Sequence, residues 1–171
     1  MHGLHPQQHT DAWFDRIAVT SGGVNGLMVA VQALVDAGDE VVLVTPVWPN
    51  LVAQPRILGA QVRTVPLVAD ADGAWRLDMG ALLAAITPGT RLLVVNAPNN
   101  PTGWTLTREE QATILAHCRR TGTWILADEV YERLYYAGDT ANGAAPSFLD
   151  VAEPEDLSLI HISEPTRLLS I

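Results

Sequence analysis

Four short apolar runs, Val41–Thr45, Val62–Leu67, Arg91–Val95 and Trp124–Ala127, recur along this chain with helix-like segments between them. Runs of this length, rich in β-branched residues, read as strands buried on both faces. Strands that alternate with helices make a parallel sheet, because each return crossover is a helix packed on one face. The pattern therefore predicts an α/β chain: a three-layer αβα arrangement around a mainly parallel sheet.

The intervening stretches carry helix signals. After the β-like run Ile17–Thr20 and the turn Ser21-Gly22-Gly23, the residues Val24, Leu27, Met28, Val31, Leu34 and Val35 fall on one helical face. Gly38 suits the end of that helix. Leu51–Leu58 is expected to form a short helix despite Pro55, and Gly59 to end it. Ala69–Gly73 reads as a surface turn. It lacks the further oxygen ligands and closing glutamate of a calcium loop. Asp78 is placed to cap a helix carrying Leu82, Leu83 and Ile86. Thr107 and Glu110 have capping-box spacing, and their helix buries Ile114, Leu115 and Cys118 before stopping near Gly122. His117, adjacent to Cys118, is expected at the surface, so the two are not a catalytic pair.

In open α/β sheets ligands sit beyond the carboxyl ends of the strands, so the residues there are the candidate site. Four stretches qualify. Ser21-Gly22-Gly23-Val24 opens a helix, where backbone N–H groups attract anions and glycine permits close approach. Pro46-Val47-Trp48-Pro49 presents a flat aromatic face from a rigid loop. Asn96–Gly103 is a long, proline-punctuated polar loop with paired asparagines. Asp128-Glu129-Val130-Tyr131 ends the last apolar run on a carboxylate, which either caps a helix or meets a positive charge.

Composition removes several classes. The net charge of −9 argues against nucleic-acid and anionic-membrane partners. No apolar run reaches transmembrane length, and Met1–Thr10 has no signal-peptide core. One cysteine cannot form an internal disulfide and fits a reducing compartment. His2, His5 and His9 form a compositional metal cue in a leader, too weak to assign a metal.

In order and spacing, the four strand-end motifs resemble the class I/II aminotransferases, fold type I enzymes that use pyridoxal 5'-phosphate. The resemblance covers about Asp11–Asp156, and PNNPTG with DEVY carries most of its specificity. It implies that the backbone amides of Gly23 and Val24 hold the cofactor phosphate, although Val24 lacks the side-chain donor common at that position. It implies that Trp48 stacks on the pyridine ring, that Asn100 and Tyr131 bond the phenolic oxygen, and that Asp128 pairs with the protonated ring nitrogen. Glu129 would point to the other side and be structural. The implied substrates are an amino acid and a 2-oxo acid, in a cytoplasmic homodimer.

The chain departs from that family in one decisive way. All ten basic residues are arginine, so the lysine that bonds covalently to the cofactor and moves the substrate proton is absent. In the family it lies past the point matching Asp156. The distal arginine that grips the substrate carboxylate and most of the N-terminal arm are missing too. Residues 157–167 resemble the translation of a sequencing adapter. The expected organisation is a leader over 1–10, an incomplete cofactor-binding large domain over 11–156 and a non-native tail over 157–171. Such a fragment would be inactive and would supply no catalytic residue. Two other classes share these motifs: a non-enzymatic domain that senses pyridoxal phosphate, and another fold type I enzyme such as a lyase or synthase.

The resemblance also implies that strands filling the space between the Ile17 run and the Trp124 run lie beyond Asp156. The Ile17 run would then lose its partner, and the Trp124 strand would become an open edge. The apolar tail Leu157–Ile162 is able to lie against that edge, without bringing the glycine turn to Asp128.

Overall fold

The computed structural model describes residues 18–136, 143–153 and 156, together with the backbone of the strand 159–162. Six strands form one sheet: β1 Glu40–Thr45, β2 Gln61–Ala69, β3 Trp75–Leu77, β4 Thr90–Asn96, β5 Trp124–Asp128 and β6 Leu159–Ile162. Their order is β3-β2-β1-β4-β5-β6. All pairings are parallel except the antiparallel β2–β3 edge. The four predicted apolar runs are β1, β2, β4 and β5. β1 and β4 lie centrally, and their middles are fully buried, as both-face burial of a parallel sheet requires.

Helices α1 Gly23–Leu34 and α2 Pro49–Ile57 cover one face; α3 Met79–Ala85 and α4 Arg108–Thr121 cover the other. Strand alternation sorts the core accordingly. Val41, Leu43, Leu92, Val94 and Leu126 meet Leu27, Val31 and Leu34 of α1. Val42, Val44, Leu93, Val95, Ile125 and Ala127 meet Leu82, Ile114, Leu115 and Cys118. This is the expected three-layer arrangement.

Several local expectations need correction. Ala18–Thr20 form no strand and are exposed, and Ile17 lies outside the described residues. Among the described residues they pair with no strand of the sheet. Helix α1 ends at Leu34 rather than running to a glycine stop: Val35 is already extended, and Gly38 (φ 93°) sits in the following turn, its N–H bonded to Gly59 O at 2.9 Å. Helix α2 begins at Pro49 and tolerates Pro55 in its last turn, where few later amides depend on regular geometry. The turn at Asp70–Gly73 is a hairpin tip leading into β3, which the sequence reading missed. There Asp70 pairs with Arg76 at 2.8 Å and accepts from the Ala74 and Asp72 amides, and these bonds, the one to Arg76 foremost, hold its carboxyl below the usual range. His117 is partly buried rather than at the surface, its Nε2 3.0 Å from Ile86 O.

The edge of β5 is not open. β6 lies parallel beside it, with Ile125 opposite Leu159 and Asp128 opposite Ile162. His2, His5 and His9 lie outside the described residues.

Candidate functional site

Asp128 is the last residue of β5 and Asn96 the last of β4, and the two are paired in register. Both side chains fall on the α1 face, in the same alternation as Leu126 and Val94. Both residues are buried, each 3 % exposed. A buried carboxylate is stable only with polar partners, and the strand ends supply a polar neighbourhood. The Asn96 Nδ2 donates to Asp128 O at 3.1 Å, and the Val130 amide lies 3.5 Å from Asp128 Oδ1.

Glu129 is also buried but faces the opposite layer. Its Oε1 accepts from the Phe148 N–H at 2.9 Å, and its carbonyl accepts from Glu132 N–H at 2.9 Å. It fastens the segment around a 3-10 turn, Phe148–Asp150, which the sequence reading did not foresee. Ser147 and Asp150 cap that turn reciprocally, Arg108 of α4 reaches Asp150 at 3.2 Å, and Gln111 donates to Pro146 O at 3.0 Å. The two adjacent carboxylates thus do different jobs, as expected: Asp128 faces the candidate site and Glu129 holds structure.

The loop after β4 braces itself. Asn99 Oδ1 accepts from the Thr102 N–H (3.1 Å) and Oγ1 (2.8 Å), and Asn99 N–H donates to Trp104 O at 2.8 Å. The peptide bonds before Pro98 and Pro101 are cis, as is the one before Pro46. Asn99 is consumed by this bracing, whereas Asn100 keeps a half-buried side chain toward the site.

These elements converge on one cleft of ≈290 Å³ lined by Gly23, Val24, Leu27, Trp48, Asn96, Asn100, Asp128, Val130 and Tyr131. All six predicted site residues, Gly23, Val24, Trp48, Asn100, Asp128 and Tyr131, line it. The expectation that the glycine turn stays away from Asp128 is therefore overturned. The apolar stripe of α1 packs over β1, β4 and β5 by itself, and this carries the helix start to the strand ends without a preceding strand. Leu27, Asn96 and Val130 are the lining residues to which sequence reading assigned no site role. Asn96 stands in the sequence reading only at the start of the loop after β4, and Leu27 only on the apolar face of its helix. A larger, shallower depression of ≈570 Å³ lies on the outer face of α2 between Pro49, Val52, Ala53, Arg56 and Ile57. It carries no acid, nucleophile or amide side chain, and is not where chemistry converges.

The donor set fits an aromatic, phosphorylated, cationic ligand. Helix α1 starts on Gly22, which offers no side-chain cap to the first-turn amides, so that turn is suited to an anion. Across the cleft stand a carboxylate, an amide, a phenol and an indole. Val24, 49 % exposed, adds no polar side-chain group. Among the described residues no cluster could hold a metal ion, and no helix is long and apolar enough to cross a membrane.

Comparison with known proteins gives the class. The chain belongs to the aminotransferase class I and II family, whose model matches residues 6–162. An aspartate aminotransferase of Musicola paradisiaca is 34 % identical over 134 residues, covering 78 % of this chain and 33 % of that protein. A probable N-succinyldiaminopimelate aminotransferase of Mycobacterium tuberculosis is 39 % identical over 120 residues, covering 70 % and 30 %. The solved N-succinyldiaminopimelate aminotransferase of Mycobacterium tuberculosis superposes with a TM-score of 0.74 at 35 % identity, over 84 % of this chain and 36 % of that one. The chain spans about a third of the length of the curated relatives it matches.

Proposed function

We propose that the cleft holds pyridoxal 5'-phosphate and that the chain is the cofactor-binding part of an amino-acid aminotransferase, an enzyme that passes an amino group between an amino acid and a 2-oxo acid. The observation that carries this reading is the convergence on one cleft of the first turn of α1, Trp48, Asn100, Asp128 and Tyr131. In it the Gly23 and Val24 amides bind the phosphate. Trp48 would stack on the ring, and Asn100 and Tyr131 would hydrogen-bond the ring hydroxyl. Asp128 keeps a proton on the ring nitrogen. When bound, pyridoxal phosphate supplies an electron sink for the substrate's α-carbon, and a carboxylate opposite the nitrogen is what sustains it. Burial of Asp128 strengthens that pairing, because few waters compete with it.

The chain has no lysine, so it has no side-chain amine to bond to the cofactor or move the substrate proton. This 171-residue chain therefore binds the cofactor without covalent linkage and does not transaminate; a homodimer in the cytoplasm is the setting we propose for the active protein. Equilibrium dialysis of the chain against pyridoxal phosphate, with the α-amino group blocked, tests the reading. Asp128→Ala is expected to weaken binding by roughly 10- to 100-fold, the worth of a hydrogen bond to a charged group. Equal binding by Asp128→Ala and the unsubstituted chain would remove Asp128 from the site. A borohydride-stable pyridoxyl label on an internal residue would refute the non-covalent reading.

A further inference from the structure

We infer that Asn96 is a positioning residue that holds Asn100 and the end of β5 in one geometry, so that Asn100 and Asp128 address the same ligand. This rests on the cofactor reading above. The two ends of one buried amide span the two elements. Asn96 Nδ2 donates to Asp128 O at 3.1 Å, and Asn96 Oδ1 accepts from the Asn100 N–H at 2.8 Å. The same Asp128 carbonyl already accepts from the Ala97 N–H at 3.2 Å, so the ladder would close without the side chain.

The loop would close without it too. Asn99 supplies the turn chemistry, accepting from Thr102 and donating to Asn96 O at 3.3 Å, and Gly103 N–H donates to Asn99 O at 2.8 Å. What the Asn96 side chain adds is a cross-brace from β5 to the main chain of the one asparagine that lines the cleft. At 3 % exposure there is little water to replace either bond, so losing an end leaves Asn100 N–H or the Asp128 strand end less restrained. Ligand-directed groups must be held to within about half an ångström to act together, and this amide is the covalently short link between them. Aspartate at 96 would keep the acceptor for Asn100 and lose the donor; alanine would lose both.

Two measurements on the full chain test this. The first is amide exchange at Asn100 without ligand. Exchange is expected to quicken by about tenfold in Asn96→Ala, equivalent to one ordinary hydrogen bond, and to stay near the unsubstituted rate in Asn96→Asp. The second compares pyridoxine 5'-phosphate, which has no aldehyde, with its 3-deoxy counterpart. The unsubstituted chain is expected to prefer the hydroxylated ligand by about tenfold. Asn96→Ala is expected to lose most of that preference, and Asn96→Asp, which cuts only the bond to Asp128 O, to lose part of it. A merely structural role would weaken both ligands alike and leave the preference intact.

An unchanged preference or unchanged Asn100 exchange in a folded Asn96→Ala chain overturns the inference. If Asn96→Ala does not fold, Asn96→Asp decides alone: it cuts the bond to Asp128 O and keeps the acceptor for Asn100, so an unchanged preference in that variant overturns the inference equally. Failure of the unsubstituted chain to bind either ligand would count against the cofactor reading, while exchange at Asn100 would still judge Asn96.

Discussion

Helices α1 and α4 pack on opposite faces of the same sheet and begin in opposite ways. Helix α4 starts with a complete capping box: Thr107 Oγ1 accepts from the Glu110 N–H at 3.2 Å, and Glu110 Oε2 accepts from the Thr107 N–H at 2.8 Å. Glu109 and Glu110 stand in its first turn and Arg119 and Arg120 in its last, complementing the helix dipole at both ends. It closes on Gly122 in the left-handed region (φ 75°), whose N–H returns to Cys118 O at 2.9 Å. Helix α1 has no side-chain cap, no acid in its first turn and no base in its last. One helix is finished by its own sequence. The other takes no side-chain cap and no complementary end charge from its own sequence, and its first turn lines the cleft.

The sharpest test of the closed side is Cys118. It is 1 % exposed, and burial pushes its thiol up to about 12 from 9.0. At pH 8 the folded chain should hold roughly 1000-fold less thiolate than an unburied cysteine. Reaction with a disulfide reagent should then proceed only through unfolding. Rapid labelling in native buffer would mean that the α4 layer is loose. Because the folded value is the raised one, this group's contribution to stability is complete below pH 9 and lost as pH climbs from 9 toward 12.

Truncating Ile114, 0 % exposed on α4, to alanine should cost about 2–5 kcal/mol in denaturant unfolding. Val29→Ala, on the half-exposed side of α1, should change stability by less than about 0.5 kcal/mol. Similar costs would erase the contrast between a finished helix face and an open one. Removing the α4 cap with Thr107→Ala is worth about 1 kcal/mol, read from the same unfolding curves.

The smallest effect in stability is the reverse experiment, giving α1 a cap. A Cβ at Gly22 would meet nothing within 4 Å, and its backbone is extended, so Gly22→Ser fits. It should stabilise the ligand-free chain by only a few tenths of a kcal/mol. It should also weaken pyridoxine 5'-phosphate binding by about threefold, because the serine oxygen occupies an amide otherwise offered to the phosphate. Tighter binding would show that these amides are not what the phosphate meets.

What the sequence disclosed follows the same division. The α4 signals are local and were legible: Thr107 with Glu110 three residues on, the Ile114–Leu115–Cys118 stripe, and Gly122. The strand runs were legible because their length and β-branched content allow little else, and Asp128 and Trp48 because strand ends are where ligands collect. The family resemblance supplied the remaining site roles. Asn96 was read only as the start of a loop, because its importance is a relation to Asp128, a partner 32 positions away. β3 spans only Trp75–Leu77, too short to show a period. The Ser147–Asp150 cap looked like loop, since its anchors Glu129, Arg108 and Gln111 are distant in sequence. The run at Ile17–Thr20 was legible as β-like, yet Ala18–Thr20 form no strand, since propensity alone does not supply a pairing.

The step from Asp128 to Glu129 carries a consequence beyond the two residues themselves. Each is a buried acid, and what separates their roles is parity: an even position looks to one layer, an odd position to the other. Deleting a single residue from Trp124–Ala127 while keeping the rest of β5 in place would swap them. Glutamate, longer by a methylene, would then enter the cleft, and aspartate would fall short of the Phe148 amide. The strand thus counts residues, and an error of one in that count would cost the site and the segment beneath it together.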